Sequence, residues 1–196
     1  MSFPGSPVLV EAPAGTTFVR VYLHDWYPDA LAQRHYGPLP HGRFDHHPEG
    51  VPRRAPRHGI GYVASTFRCA VAEVFGDLRR IAPARSHRVG LIEATTPLVL
   101  ADTRDLAAIE LGVAAGALRT RLRALTQRVA RDLHAETDAH GVLYSGWHTG
   151  EDCVALWERA RPGLQLLDDR SLTDLDVLPE LRLLATELHY DMAEIG

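Results

Sequence analysis

There is no lysine in this chain: all 21 of its basic residues are arginine. That excludes a lysine Schiff base and the phosphate-gripping lysine of a P-loop. Cysteine is almost as scarce, with only Cys69 and Cys153, far apart and in no CxxC pattern. A disulfide framework is therefore not expected. Two buried thiols in a reducing cytoplasm are the simpler reading. No run approaches the eighteen or so apolar residues of a membrane span. The first fifteen residues carry neither a basic start nor a long apolar stretch, so a signal peptide is not expected. The net charge of −4 gives no strongly basic face, and nucleic acid is an unfavoured partner. Sequence signatures are missing too. There is no G-x-S-x-G elbow, no HExxH, no P-loop and no dinucleotide fingerprint in register.

What remains is ordinary globular composition, 45% hydrophobic and 23% charged, in 196 residues. That length suits one domain with a proper core. Residues 1–15 read as a loose lead-in and residues 16–196 as a single domain. The most informative stretch is GIGYVASTFRCAVAEVFGDL, Gly59 to Leu78. A short strand over Gly59–Ala64 feeds a helix that Ser65 or Thr66 can cap. Phe67, Ala70, Val71, Val74, Phe75 and Leu78 recur at helical spacing as one apolar stripe. Glu73 falls just off its edge, where a carboxylate can face a cleft. On this stretch alone, a solvated helix glutamate is the simpler reading.

Upstream, Thr16–Leu23 alternates as a strand. Phe18, Arg20 and Tyr22 share one face, and Val19, Val21 and Leu23 the other. Pro28 to His58 holds six prolines and one short helix at most, over Asp29–His35. Loops this long in compact domains are usually functional or mobile. It carries His41-Gly42-Arg43-Phe44-Asp45-His46-His47. The histidine spacing fits no familiar zinc set and no thiol accompanies it, so no metal is expected. Further on, Arg88–Ala94, Leu98–Ala101, Gly141–Trp147, Cys153–Trp157 and Leu164–Leu167 read as strands. Helices are expected from Thr103 or Asp102 to before Gly112, over Ala117–Glu136 and over Pro179–His189. Leu118, Leu122, Leu125, Val129 and Leu133 form the inner seam of the second, with Arg119, Arg121, Arg123, Arg128 and Arg131 lying elsewhere on it. Short strands interrupted by helices, without a βαβ rhythm, give an α+β class: a mixed, mostly antiparallel central sheet with surrounding helices.

The order of several motifs resembles the RES-domain family, named for an arginine, a glutamate and a serine, and known as toxins of RES–Xre toxin–antitoxin systems. The matching features are Phe18-Val19-Arg20-Val21, then Gly42-Arg43-Phe44, then Tyr62-Val63-Ala64-Ser65 leading to Ala70-Val71-Ala72-Glu73. Gly141-Val142-Leu143-Tyr144-Ser145 and Val154-Ala155-Leu156-Trp157 follow. Together they span roughly residues 16–169. The chain departs from the family where Phe44-Asp45 replaces a common Trp-Asn, where Ser145 follows Tyr144 directly, and where an asparagine before the ALW strand is absent. The resemblance implies an ADP-ribosyltransferase-like fold and cleavage of the nicotinamide–ribose bond of NAD+, by water or phosphate. Transfer to a protein side chain, or a binding module without turnover, are its alternatives. NAD+ is then substrate, and no true cofactor or metal is implied. By resemblance Glu73, Arg20 and Tyr62 are the catalytic candidates, and Arg43, Ser145 and Tyr22 the candidates for holding NAD+. A cognate antitoxin protein is the expected partner, a homodimer is also entertained, and the location is cytoplasmic.

Overall fold

The computed structural model describes residues 5–114, 116–119 and 123–193. In chain order the strands and helices are β1 (Val8–Ala12), β2 (Thr17–Leu23), β3 (Tyr36–Gly37), β4 (Arg53–Arg54), β5 (Ile60–Ala64), α1 (Phe67–Phe75), β6 (Arg80–Ile81), β7 (His87–Ala94), β8 (Leu98–Asp102), α2 (Asp105–Glu110), α3 (Arg123–Glu136), β9 (Gly141–Ser145), β10 (Asp152–Trp157), β11 (Leu164–Ser171), α4 (Leu178–Leu188) and β12 (Asp191–Met192). Single 3₁₀ stretches occupy Ala117–Arg119 and Glu158–Gly163.

Eight strands join one sheet in the order β1-β8-β9-β10-β5-β2-β7-β11. Every neighbouring pair is antiparallel except β8–β9. This is the mixed, mostly antiparallel sheet expected of an α+β chain. Its weakest seam lies between β5 and β2, which share a single register pair, Val19 opposite Ala64. By contrast β2 and β7 pair over seven residues, Thr17 to Leu23. The sheet is thus nearly split between Val19 and Ala64, next to the stretch that leads into α1.

Alternation sorts the sheet's side chains into two cores. On one face Val21, Ile60, Ala64, Val142, Tyr144, Cys153, Ala155 and Trp157 pack against residues of all four helices, such as Val71, Ala108, Leu133 and Leu181. On the other face Phe18, Tyr22, Val63, Ile92, Leu100, Leu143, Val154 and Leu164 pack mainly on one another, so the sheet curls around its own apolar interior. No helix is long and apolar enough to cross a membrane among the described residues.

Some local expectations need correction. The lead-in contains β1, an edge strand paired with β8 from Val8 opposite Asp102 to Ala12 opposite Leu98. Pro13 ends it, which suits an edge, where a missing N–H costs no ladder bond. No helix forms over 29–35. That part of the loop instead makes an isolated bridge from Arg34 to Ile60, and the short β3–β4 ribbon follows it. Helix α1 stops at Phe75, so Leu78 lies outside it and is exposed, as is Val74. The buried side is Cys69, Ala70, Val71, Ala72 and Phe75. Four consecutive small or β-branched residues let the helix be enclosed almost all round, which a single stripe does not describe. Of the expected second helix, Ala117–Arg119 is a 3₁₀ turn and Arg123–Glu136 is α-helical, while Arg121 and Leu122 of the expected pattern lie outside the described residues.

Candidate active site

Thr66 starts α1. It has extended backbone and its side-chain oxygen accepts the Cys69 N–H at 3.0 Å, satisfying one of the helix's free donors. The same hydroxyl donates to Glu151, which Arg68 also holds. The first turn of α1 is thereby stapled to the turn between β9 and β10. That turn is closed by Gly146 N–H on the Glu151 carbonyl at 2.7 Å and Gly150 N–H on the Gly146 carbonyl at 3.1 Å.

Glu73 lies one helical turn beyond Cys69, so its carboxylate meets the far part of this turn. Oε1 accepts the Trp147 N–H at 2.7 Å and the His148 N–H at 3.2 Å. This approach is possible because residue 146 is glycine. A Cβ there would stand 3.1 Å from Cys69 Sγ, 3.2 Å from Cys153 Sγ and 3.2 Å from Glu73 Oε1. Among the described residues Oε2 has no hydrogen-bond partner. The half-buried carboxylate is therefore oriented through one oxygen and open at the other.

Arg43 reaches the same turn from the long loop. Its Nη1 donates to the Ser145 carbonyl at 2.8 Å, and its guanidinium lies 5.2 Å from the Tyr144 ring centre and 5.9 Å from that of Trp147. Cation–π geometry of this kind favours a planar guanidinium over an ammonium. The loop is held in place on both sides of Arg43. Gln127 of α3 donates to the carbonyls of Leu39 and Gly42 at 2.7 and 2.9 Å. Phe44 is fully buried, 4.8 Å from Tyr144 ring to ring. Asp45 accepts from Arg34 at 2.7 Å, from Leu39 N–H at 2.9 Å and from His47. Burial alone would raise the Asp45 pKa, but these donors together hold it well below the usual carboxylate range.

Tyr62 comes from β5, with its hydroxyl buried and unpartnered. A Cβ on Gly42 would be 3.1 Å from that oxygen, so the phenol stands directly beside the residue preceding Arg43. Burial, reinforced by the Asp45 charge, pushes its pKa above the ordinary phenol value and keeps it neutral. Tyr144 is also held neutral, by burial first and then by Cys153, Glu73 and Tyr62. Glu73, Arg43, Tyr62 and Tyr144 thus form one electrostatic neighbourhood drawn from α1, the loop, β5 and β9.

Arg20 and Tyr22 are not brought into it. Both lie on the face of β2 shared with Phe18, opposite Val19 and Val21, which pack on the α1 side. Arg20 Nη1 donates to the carbonyls of Ala30 and Ala32 at 2.9 and 2.6 Å, and its guanidinium lies 4.6 Å from the Tyr27 ring centre. Burial lowers its pKa, against the raising influence of Tyr27, Tyr22 and Asp29. A shallow groove of about 380 Å³ opens nearby, bordered by Trp26, Tyr27, Ala32, Gln33 and Arg34 but not by Glu73, Arg43 or Tyr62. The Tyr22 hydroxyl donates to Asp169 at 2.6 Å, tying β2 to β11 across β7. Ser145 enters the neighbourhood through its carbonyl, while strand alternation turns its side chain away from the Tyr144 face. Gln127, the Trp147 and His148 amides and Gly146 were not picked out by sequence reasoning. Gln127 lies on the side of α3 opposite the Leu125–Val129–Leu133 seam, where the sequence pattern gives no reason to expect a buried residue.

A curled, mostly antiparallel sheet with a carboxylate at its helix-covered face, gripped by a turn that an arginine also holds, defines a class of small α+β proteins with a built polar site. The sequence matches the RES domain over residues 17–178, and the chain belongs to that family. No curated protein matches it significantly. Among solved structures it is similar to a chain of the M. tuberculosis MbcT–MbcA toxin–antitoxin complex, at 18% identity over 91% of each chain, with a TM-score of 0.58. At that identity the likeness is one of fold.

Proposed function

We propose that this protein is an NAD+-degrading enzyme that cleaves the nicotinamide–ribose bond, and that it acts as the toxin of a toxin–antitoxin pair. The observation that carries the reading is the Glu73 carboxylate, held by the Trp147 and His148 amides within the turn that Arg43 grips. Membership of the RES family and the fold shared with a chain of a toxin–antitoxin complex support it.

The chemistry asks for few groups. The C–N bond breaks with both electrons going to nicotinamide, which leaves neutral, and positive charge develops on the ribose. The free oxygen of Glu73 stabilises that charge and orients the ribose hydroxyls, while its other oxygen stays fixed by two N–H donors. Water or phosphate then adds to the anomeric carbon and loses a proton. Arg43 spends one N–H on Ser145 and keeps its others for the diphosphate. Tyr62 and Tyr144 supply neutral aromatic walls with hydroxyl handles, and the partly exposed Trp147 ring covers the approach. Arg20 supports the site indirectly, by holding the Ala30–Ala32 segment. An NAD+-consuming chain needs restraint in its host, and a proteinaceous antitoxin over the site is the expected form.

Pure protein incubated with NAD+, with and without phosphate, should release free nicotinamide. Glu73→Gln should still bind NAD+ while turnover falls by about 10²–10³. Absence of nicotinamide release by the folded wild-type chain under both conditions would reject the reading. Label transferred to protein, in place of free ADP-ribose products, would move it to ADP-ribosyl transfer.

A further inference from the structure

The histidines of the long loop gather away from Glu73, at the far end of β10. His46 is buried, His134 projects from α3, and Glu158 opens the 3₁₀ stretch after β10. His46 Nε2 lies 3.1 Å from Glu158 Oε2, and His134 Nε2 lies 2.7 Å from Glu158 Oε1. One donor atom from each of the three residues falls within 4.8 Å of the other two. The His58 ring stands 5.3 Å from His46 and 5.5 Å from His134, and Trp157 closes the nest at 5.4 and 5.0 Å from the same two rings.

Polar satisfaction is poor in this nest. Five buried side-chain polar atoms lack a partner among the described residues, and three of them belong to this nest: His46 Nδ1, His47 Nε2 and Trp157 Nε1. Buried polar atoms are nearly always paired, so the nest is incompletely satisfied, although none of these three is an atom that meets Glu158. His47 is already oriented by a carboxylate, with Nδ1 at 2.5 Å from Asp45 Oδ1, which leaves Nε2 bare.

We propose that His46, His134 and Glu158 bind a divalent metal ion of the zinc class, with His58 or water in the fourth position. Two imidazoles and a carboxylate without thiols suit zinc, cobalt or nickel better than calcium or magnesium. Ligand atoms about 2.1 Å from zinc sit roughly 3.4 Å apart in a tetrahedron. The two imidazoles meet different oxygens of Glu158, at 3.1 and 2.7 Å, and one donor from each residue falls within 4.8 Å of the others, so binding draws the three side chains in around a common centre. The imidazole proton on each Nε2 moves to Nδ1, and the metal replaces the two hydrogen bonds to Glu158. The ion ties three distant segments together: the loop, α3 and the end of β10. His46 is three residues from Arg43, so the metal acts as a clamp on the loop that presents Arg43. It takes no part in chemistry at Glu73.

The test uses the full, untagged chain, stripped with EDTA, dialysed and titrated with Co2+ and then Zn2+. One equivalent of cobalt should bind with the visible ligand-field spectrum of a low-coordinate site. Zinc should displace it and raise the thermal midpoint. Glu158→Gln and His134→Gln, checked for folding by circular dichroism, should each weaken binding by more than about 100-fold, beyond what loss of a supporting hydrogen bond costs. His41→Gln, an exposed histidine of the same loop, should bind as wild type. A changed cobalt spectrum in His58→Gln would assign the fourth ligand to that residue, and an unchanged one to water. No cobalt spectrum, or equal binding by wild type and Glu158→Gln, overturns the proposal and leaves the nest a hydrogen-bonded network. None of these readouts depends on NAD+ turnover.

Discussion

At the scale of single residues, Gly146 decides whether Glu73 is oriented. Its backbone is not left-handed; the constraint is crowding, with two thiol sulfurs and a carboxylate oxygen where a Cβ would go. Gly146→Ala should therefore push the turn away from α1 and loosen the Trp147 and His148 amides from Glu73. On the proposed mechanism the expected outcome is a lower kcat with KM changed little, because those amides orient the Glu73 carboxylate and do not hold substrate. Steady-state nicotinamide release separates the two constants. Arg43→Lys keeps charge but loses the planar group stacked between Tyr144 and Trp147. It should raise KM for NAD+ by roughly tenfold, the equivalent of about 1.4 kcal/mol. An unchanged KM would remove Arg43 from substrate binding.

Helix α1 and the long loop are the two elements whose placement makes the site. The cap at Thr66 fixes where α1 begins, and so which side Glu73 occupies. Thr66→Ala should cost about 1 kcal/mol of stability, read from urea unfolding, and Thr66→Ser should restore most of it. The loop depends on a different device. Gln127 satisfies two loop carbonyls from α3, and removing it leaves both without that donor. Gln127→Ala should cost about 1–3 kcal/mol and raise KM through Arg43, without lowering kcat in proportion. Equal falls in kcat and kcat/KM would mean that the loop acts on the transition state directly.

For the molecule as a whole, the near-split between β2 and β5 sets the geography. Among the described residues only Val19 and Ala64 hold the two halves of the sheet in register there, and the helix that carries Glu73 and the β2 face that carries Arg20 lie on opposite sides of it. Expression of the chain alone should deplete cellular NAD+ and arrest growth, and Glu73→Gln should relieve both. Co-expression of a cognate antitoxin should restore growth with the chain still soluble. Normal growth and NAD+ levels with abundant soluble wild-type protein would count against the toxin reading.

The sequence by itself determined the α+β class, most strand positions, the start of α1 near Thr66 and the family, because these rest on local periodicity, capping and motif order. It also singled out Glu73, Arg43 and Tyr62, three of the four side chains that now share one neighbourhood. Tertiary structure decided the rest. Arg20 and Tyr22 alternate correctly on β2, but only the curl of the sheet shows that their face belongs to the inner core. Ser145 sits at the right point in the chain, yet what it offers Arg43 is a carbonyl, which no side-chain motif encodes. Gly146 and the Trp147 and His148 amides were invisible for the same reason: backbone donors carry no residue signature. The nest of His46, His134 and Glu158 joins positions far apart in the chain, so no spacing rule could reveal it. Periodicity reports which way a side chain points within its own element, whereas a site depends on which elements meet.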